Sequence, residues 1–407
     1  MSQLPHISPM QGMRFESPDK KGDGGPLGGG LLSFFLVAFV LICYGLVVCW
    51  SACLVDKDFN FSRQYLGLLL GLICMVVVWR FDYRKLGNMT VPLYIVTIAL
   101  ILSPFVPGLG VEENGARSWI KLGMQFQPGE FAKVTMVLLA ASLVSRYGGK
   151  LDDLRQYLKV LFILLSPTVV IMLQPDLGTG LVYFFIAGVT LVMGGAKPSY
   201  LIATVVLGIA AVAILLGIDE LVFKHEDPTT STGYEYKILK QYQRSRLTVF
   251  LNPDADTSAT GYNLAQAMIA VGSGGLFGKG LGNTTQAANG FLPEAPTDFI
   301  FCVLAEQLGF VGAMALILLY AAFIACAVRI ALRSDDLFGM LLVCGVVGMW
   351  LFQILENIGM TIGLMPITGI PLPFFSYGSS FMVTNMIMIG LIASVASHHA
   401  TLGGKRL

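Results

Sequence analysis

Apolar residues along this chain come in long, nearly unbroken blocks parted by short polar stretches, rather than alternating or recurring on one helical face. The blocks cover about residues 31–54, 64–79, 89–107, 128–145, 158–173, 177–193, 199–217, 299–328, 337–355 and 381–397. Crossing a hydrocarbon layer of about 30 Å takes roughly 20 helical residues, so the pattern predicts about ten transmembrane helices and an all-α, polytopic integral membrane protein. The fourth to sixth blocks are short or broken by Pro and Gly, which leaves their ends ill-defined. The first exceeds the apolar core of a signal peptide and no cleavage-like site follows it, so a retained helix is expected.

Two long polar stretches frame these blocks. Residues 1–30 are rich in Gly, Pro and Lys and predict a disordered tail. Residues 31–407 then form a single membrane domain. Within it, residues 217–298 make one large loop between the seventh and eighth spans. Lys and Arg in the short connections set the orientation. With the N-terminus inside, the inner loops carry Arg80, Arg84, Lys85, Arg146, Lys150, Arg155, Lys159, Lys197, Arg329 and Arg333. The short outer loops carry only Lys57, Arg63, Arg117 and Lys121. Both termini are therefore expected in the cytoplasm and the 217–298 loop outside.

Composition adds exclusions. The chain is 55% hydrophobic and 13% charged, with a net charge of +1, which gives no electrostatic footprint for nucleic acid and no acidic tail. Its seven cysteines all lie in apolar blocks without metal-ligand spacing, and read as small buried hydrophobes.

Candidate chemistry gathers around the long loop. Asp298, in Pro296-Thr297-Asp298-Phe299, has two readings. One is a helix start, with Thr297 capping and Asp298 facing the positive end of the dipole. The other is functional, since an ionisable group entering a membrane span is a site candidate. Glu306 lies deeper on nearly the same face, as a partner or an internal polar contact. Gln127-Pro128-Gly129-Glu130-Phe131-Ala132-Lys133 opens the fourth span, and Glu130 and Lys133 are neighbours on one helical face. They are either an ion pair pinning two helices or part of a site. Arg117 and Lys121 flank Trp119 in an outer loop, where two cations would suit an anionic lipid head group or simply be solvated. Lys237, Lys240, Arg244 and Arg246 form a basic patch.

The glycine run from Gly272 to Gly282 is not a nucleotide-binding loop: Lys279 is followed by Gly280, and no strand precedes it. It reads as a flexible turn, with a backbone nest for phosphate as the alternative. Before it, Tyr262, Ala265, Met268 and Ile269 recur at helical spacing, which suits a helix on the membrane surface. Ile354-Leu355-Glu356-Asn357-Ile358-Gly359-Met360 precedes a run, 365–378, whose prolines and glycines forbid a continuous helix. Such backbone at membrane depth must be buried in protein or line a wet cavity.

Taken together these runs resemble the SEDS family of polytopic cell-wall polymerases. The matching runs are Ala116-Arg117-Ser118-Trp119-Ile120, QPGEFAK, Gln174-Pro175-Asp176-Leu177-Gly178, FLNPDAD, GSGGLFGKGLG, LPEAPTDFIF and GIPLPFFSYG, in family order over about residues 30–397. The wording of 366–371 and the Asn252-Pro253 pair are nearer the elongation type, RodA, than the division type, FtsW. The chain departs from the family at Gly129, Pro296, Gln307 and Ser379, and Pro296 bears on the local shape around Asp298.

The resemblance implies a peptidoglycan glycosyltransferase that polymerises lipid II into glycan strands at the outer face of the bacterial cytoplasmic membrane. It also implies a class B penicillin-binding protein as transpeptidase partner. It places the essential aspartate on Asp298 and the family's polar pair on Glu130 and Lys133. Transfer of a sugar to a hydroxyl needs a base and cations for the leaving pyrophosphate. Asp298 is the base candidate. Lys133, Arg117, Lys121, Arg244 and Arg246 are the pyrophosphate candidates, with Glu130 and Glu306 as further substrate-binding candidates. One base suffices for inversion. A divalent cation, Mg or Mn, is compatible with a pyrophosphate, but no carboxylate cluster specifies one. The rival reading is a lipid II flippase, since broken helices and midplane polar residues also mark transporters; against it, the large polar segment lies wholly outside and no inverted repeat is evident.

Overall fold

The computed structural model describes residues 29–398, apart from 57, 114–115, 123, 173, 175, 223–224, 227–233, 236–245, 247–248 and 251–258. The expected N-terminal tail and the basic residues Lys237, Lys240 and Arg244 lie outside the described residues.

The blocks of the sequence become helices close to where the pattern puts them. They are α1 (Gly29–Val55), α2 (Phe61–Arg80), α3 (Thr90–Leu102), α4 (Pro128–Ser145), α5 (Leu154–Met172), α6 (Leu177–Met193), α7 (Pro198–Val222), α8 (Ala259–Ser273), α9 (Ile300–Leu332), α10 (Leu337–Thr361) and α11 (Ser379–Ser397). Eight of these are long and apolar enough to cross a membrane, and the apolar α3 and α6 are shorter. The chain is all-α as expected, with two small antiparallel sheets added, the shorter pairing 225–226 with 234–235. Three segments expected as part of an outer loop form an antiparallel meander of β1 (Gly110–Glu113), β2 (Ala116–Leu122) and β3 (Met124–Phe126). β3 runs into Gln127 and Pro128, and Phe126 meets Phe131 edge-on with ring centroids 6.0 Å apart, so the sheet is seated on the start of α4.

α4, α10 and α11 form the interior, each buried over most of its length. The other spans surround them with one face inward. α1 turns Leu31, Phe34, Ala38, Leu41, Gly45 and Val48 inward, while Leu32, Leu36, Phe39 and Leu54 are exposed and equally apolar. In lipid both faces are greasy, so contact faces are marked by small residues that let backbones approach. Gly67 and Gly71 of α2 do this against Ser379 and Met386 of α11. At the centre, Phe34, Phe323, Trp350 and Phe374 pack in stacked, tilted and edge-on pairs with ring centroids 4.8 to 5.6 Å apart. The Trp350 indole N–H donates to Asn385 at 2.7 Å, which satisfies its one polar atom in that core. α7 differs from all the others. None of the 18 residues from Pro198 to Leu215 is buried, and Tyr157 of α5 holds it near its start, 2.6 Å from Thr204.

The glycine run is not the flexible turn expected of it. α9 breaks at Gly309 (φ 64°, ψ −162°), which frees backbone groups on both sides of the kink. The run supplies their partners. Lys279 and Gly280 N–H donate to the Glu306 and Gln307 carbonyls at 3.0 and 2.9 Å, and Phe310 and Val311 N–H donate back to Gly275 and Leu276. A Cβ at Gly278 would lie 2.1 Å from the Gln307 carbonyl oxygen, and one at Gly274 2.0 Å from that of Ala305. Glycine is required because two backbones touch. α8 packs its Leu264, Ala267 and Ala270 face inward and leaves Tyr262, Met268 and Ile269 exposed, as a surface helix would.

Candidate active site

Residues 366–378 form a strap with no regular structure, and its backbone groups are satisfied one by one from neighbouring elements. Arg246 donates to the Thr368 carbonyl at 2.7 Å, Asn357 to that of Ile370 at 2.8 Å, and Tyr320 to that of Pro373 at 2.5 Å. Ser376 accepts the Leu372 N–H at 2.7 Å, and Gln64 of α2 bonds both Ser376 O and Gly378 N–H. Tyr377 N–H donates to Pro296 O at 2.8 Å, which ties the strap to the turn carrying Asp298. Ile367, Thr368, Ile370, Leu372, Phe374, Phe375 and Ser376 are buried against protein, as irregular backbone within a membrane span requires. Phe374 takes a positive φ of 67°, a strained conformation held by its place in the aromatic core.

Asp298 sits against this strap. Its Oδ2 comes within 2.8 Å of where a Cβ on Gly369 would lie, and an Arg246 nitrogen within 3.8 Å of the same point, so the missing side chain makes room for both. Asn357 donates to the Asp298 carbonyl at 2.8 Å as well as to Ile370 O, locking turn and strap together. The cap reading fails: the N-cap of α9 is Phe299, with no side-chain cap. Thr297 instead bonds back to Glu294. The Asp298 carboxyl is pushed up to about 7, first by burial and then by the Glu294 charge, against which Arg246 pulls it down. It nevertheless reaches solvent in part, since its burial is intermediate.

Two further groups border this place. Asp176 caps α6 through Thr179 N–H at 3.0 Å, accepts from the Gln127 amide at 3.3 Å, and is near enough to add to the upward push on Asp298. A Cβ on Gly178 beside it would meet the Thr368 carbonyl, which places the start of α6 on the strap. Gln127 leads into α4, where Lys133 and Glu130 pair at 2.6 Å with side-chain exposures of 2% and 4%. Tyr183 donates to Gly129 O at 3.0 Å, and the Lys133 ammonium stands 5.6 Å from the Phe381 ring centroid. The second oxygen of Glu130 is buried without a partner among the described residues. Groups from α4, α6, α10, the strap and the turn before α9 thus converge on one region.

Residues 31–401 match the model of the FtsW, RodA and SpoVE family, described as "Cell cycle protein". The chain belongs to this family. Stage V sporulation protein E of Bacillus subtilis (strain 168) is 33% identical over 376 residues, covering 90% of this chain and 97% of that one. Peptidoglycan glycosyltransferase MrdB of Escherichia coli (strain K12) is 33% identical over 376 residues, covering 91% and 94%. A structure described as "Structural coordination of polymerization and crosslinking by a peptidoglycan synthase complex" aligns with a TM-score of 0.71 at 31% identity, over 91% of this chain and 98% of its own.

In this FtsW/RodA/SpoVE member the site residues proposed from sequence divide. Asp298 and Arg246 meet at the strap, and Glu130 and Lys133 stand beside Gln127 and Asp176. Glu306 belongs to another cluster: it is 1% exposed on α9 and pairs with Lys279 at 2.6 Å. It also accepts from Thr285 N–H and Oγ, so it pins the glycine loop to the kink. Lys121 is exposed on β2, opposite Gln125. Arg117 lies on the same strand, and its side chain, like Arg244, falls outside what is described. Sequence reasoning did not select Asp176, Gln127, Glu356, Asn357 or Gly369. The available signal was a Glu-Asn pair inside an apolar block, and a helix-starting Asp after Pro175. Among the described residues no three His, Cys, Asp or Glu side chains converge as a metal-ligand set.

Proposed function

We propose that this membrane glycosyltransferase polymerises lipid II into peptidoglycan strands by inverting transfer, with Asp298 as the general base. The observation that supports it is a half-buried carboxyl of raised proton affinity set beside a guanidinium at a polar strap. The acceptor hydroxyl oxygen attacks the donor's anomeric carbon and its proton passes to Asp298. The bond from that carbon to the pyrophosphate breaks, and the lipid pyrophosphate leaves. Arg246, with one nitrogen engaged on Thr368 O, is a cation placed, among the described residues, for the charge that develops. Lys133 is neutralised by Glu130, so its role runs through the pair: the two fix the start of α4 and, through Gln127, Asp176. A Mg or Mn ion is compatible with a pyrophosphate leaving group, and no group of three His, Cys, Asp or Glu side chains among the described residues specifies one.

Relatives named peptidoglycan glycosyltransferase favour this reading over a lipid II flippase. The likeness to a complex that coordinates polymerization and crosslinking supports a class B penicillin-binding protein as partner. The RodA-like wording of the 366–371 run supports a role in elongation and shape. On this reading both termini face the cytoplasm and the 217–298 loop faces outward from the bacterial cytoplasmic membrane. The test is strand synthesis from purified lipid II by the full-length protein with its partner transpeptidase. Translocation of lipid II without strand formation would overturn it.

A further inference from the structure

Glu356 has no part in the mechanism above, yet it is a carboxyl buried to 1% exposure one residue before Asn357. Burying such a group is costly unless its polar atoms are used. One oxygen accepts the Thr368 hydroxyl, while the other is buried without a partner among the described residues. Nothing in α10 itself needs this residue, since an apolar side chain would pack the same helix face.

Among the described residues, its hydrogen bonding goes to Thr368. Thr368 is the residue whose carbonyl takes Arg246, Gly369 is the one that leaves room for Asp298, and Ile370 is the one tied by Asn357 to the Asp298 carbonyl. Three consecutive strap residues therefore set both the base and its cation. Of these, Thr368 meets Glu356 through its hydroxyl, and its backbone N–H faces the same carboxyl. We propose that Glu356 is a positioning residue of this site: through the Thr368 hydroxyl it holds the 368–370 backbone against which Asp298 and Arg246 are placed. The inference rests on reading Asp298 as the base.

Removing the hydrogen bond should let the strap drift, and drift costs the chemical step more than lipid II binding. Drift should also admit water to Asp298. Burial is the main cause of its raised proton affinity, so the acid limb of the pH–rate profile should move down. The titratable and charged groups facing Asp298 are Glu294 on its own turn, Arg246 and Asp176 at the start of α6, with the buried carboxyl of Glu356 on α10 behind them. A substitution at Glu356 alters none of the other three.

The experiment is polymerisation of purified lipid II by the full-length protein with its partner transpeptidase, across pH 5 to 9. For Glu356→Ala, kcat should fall roughly 10- to 100-fold with KM within about threefold, and the acid limb should move down by about one pH unit. Glu356→Gln keeps an acceptor for Thr368 and should restore most of the rate and the limb. Thr368→Val removes the hydroxyl bond from the other side and should move the rate and the limb in the same direction as Ala, which keeps the test open if Glu356→Ala folds poorly. The double variant should be no worse than either single one. An unmoved limb with only reduced amplitude in both Glu356→Ala and Thr368→Val would overturn the proposal, as would a Gln variant as impaired as Ala. Asp298→Asn run in parallel separates the two claims. If it stays active the base reading fails, whereas an inactive Asp298→Asn beside an unaffected Glu356→Ala sinks only the positioning role.

Discussion

Replacing Asp298 by Asn removes the proton acceptor and the charge that faces Arg246, with little change of shape. The two side chains are nearly the same size, and the contacts tying this turn to the bundle run through backbone: the Asp298 carbonyl to Asn357, and the Pro296 carbonyl to Tyr377. The variant should therefore fold. A carboxyl at about 7 is half ionised near neutrality, so wild-type polymerisation should fall by roughly 50-fold from pH 7 to pH 5 and gain only about twofold above pH 8. In Asp298→Asn the rate should drop roughly 10²- to 10⁴-fold and the residual activity lose its acid limb. Stability shifts in a defined direction. The raised carboxyl keeps a proton that the unfolded chain releases at about 3.8, so its contribution to the fold is fully present below that pH and is lost as pH rises towards and through about 7. Asp298→Asn should be slightly more stable than wild type at pH 8 and equal to it below pH 4. The assay is gel separation of strands made from labelled lipid II over a pH series, with thermal unfolding in detergent on the same samples. A folded Asn variant that polymerises within a few-fold of wild type, or a wild-type rate flat between pH 5 and 8, would refute the assignment.

Glu130→Ala or Lys133→Ala leaves one buried charge unpaired and should destabilise by about 3–5 kcal/mol while impairing polymerisation. The double change Glu130→Leu with Lys133→Met should regain thermal stability without regaining strand synthesis, and recovery of both would make the pair purely structural. Gly278→Ala should lower the unfolding temperature sharply, because its Cβ meets the Gln307 carbonyl; an unchanged melting curve would mean that the glycine seam is not as tight as described. Thr257→Cys should react with a membrane-impermeant maleimide in intact cells, and labelling only after permeabilisation would reverse the orientation.

Much of the architecture was legible because a membrane helix must satisfy its backbone internally and face lipid with apolar side chains, which writes long apolar blocks into the sequence. The helix spans follow those blocks, and the Pro- and Gly-rich 366–378 run was legible as irregular backbone for the same reason. The chemistry-bearing residue types were visible too, since Asp298, Glu130 and Lys133 are ionisable groups at span ends where charge is costly. Pairings were not. In lipid the exposed and packed faces are equally apolar, so the hydropathy of α1 or α7 does not say which side meets protein. The meander of β1 to β3 and the seam between the glycine run and Gly309 depend on a partner backbone that pattern alone does not supply. The site itself is a tertiary fact: Arg246 reaches a carbonyl 122 residues away, and Asn357 joins Asp298 to Ile370 across 59 and 13 residues. Hydropathy periods report on a residue's own helix, whereas a base, a cation and a strap come together only when separate helices are packed, and that packing decided which of the candidate charges meet.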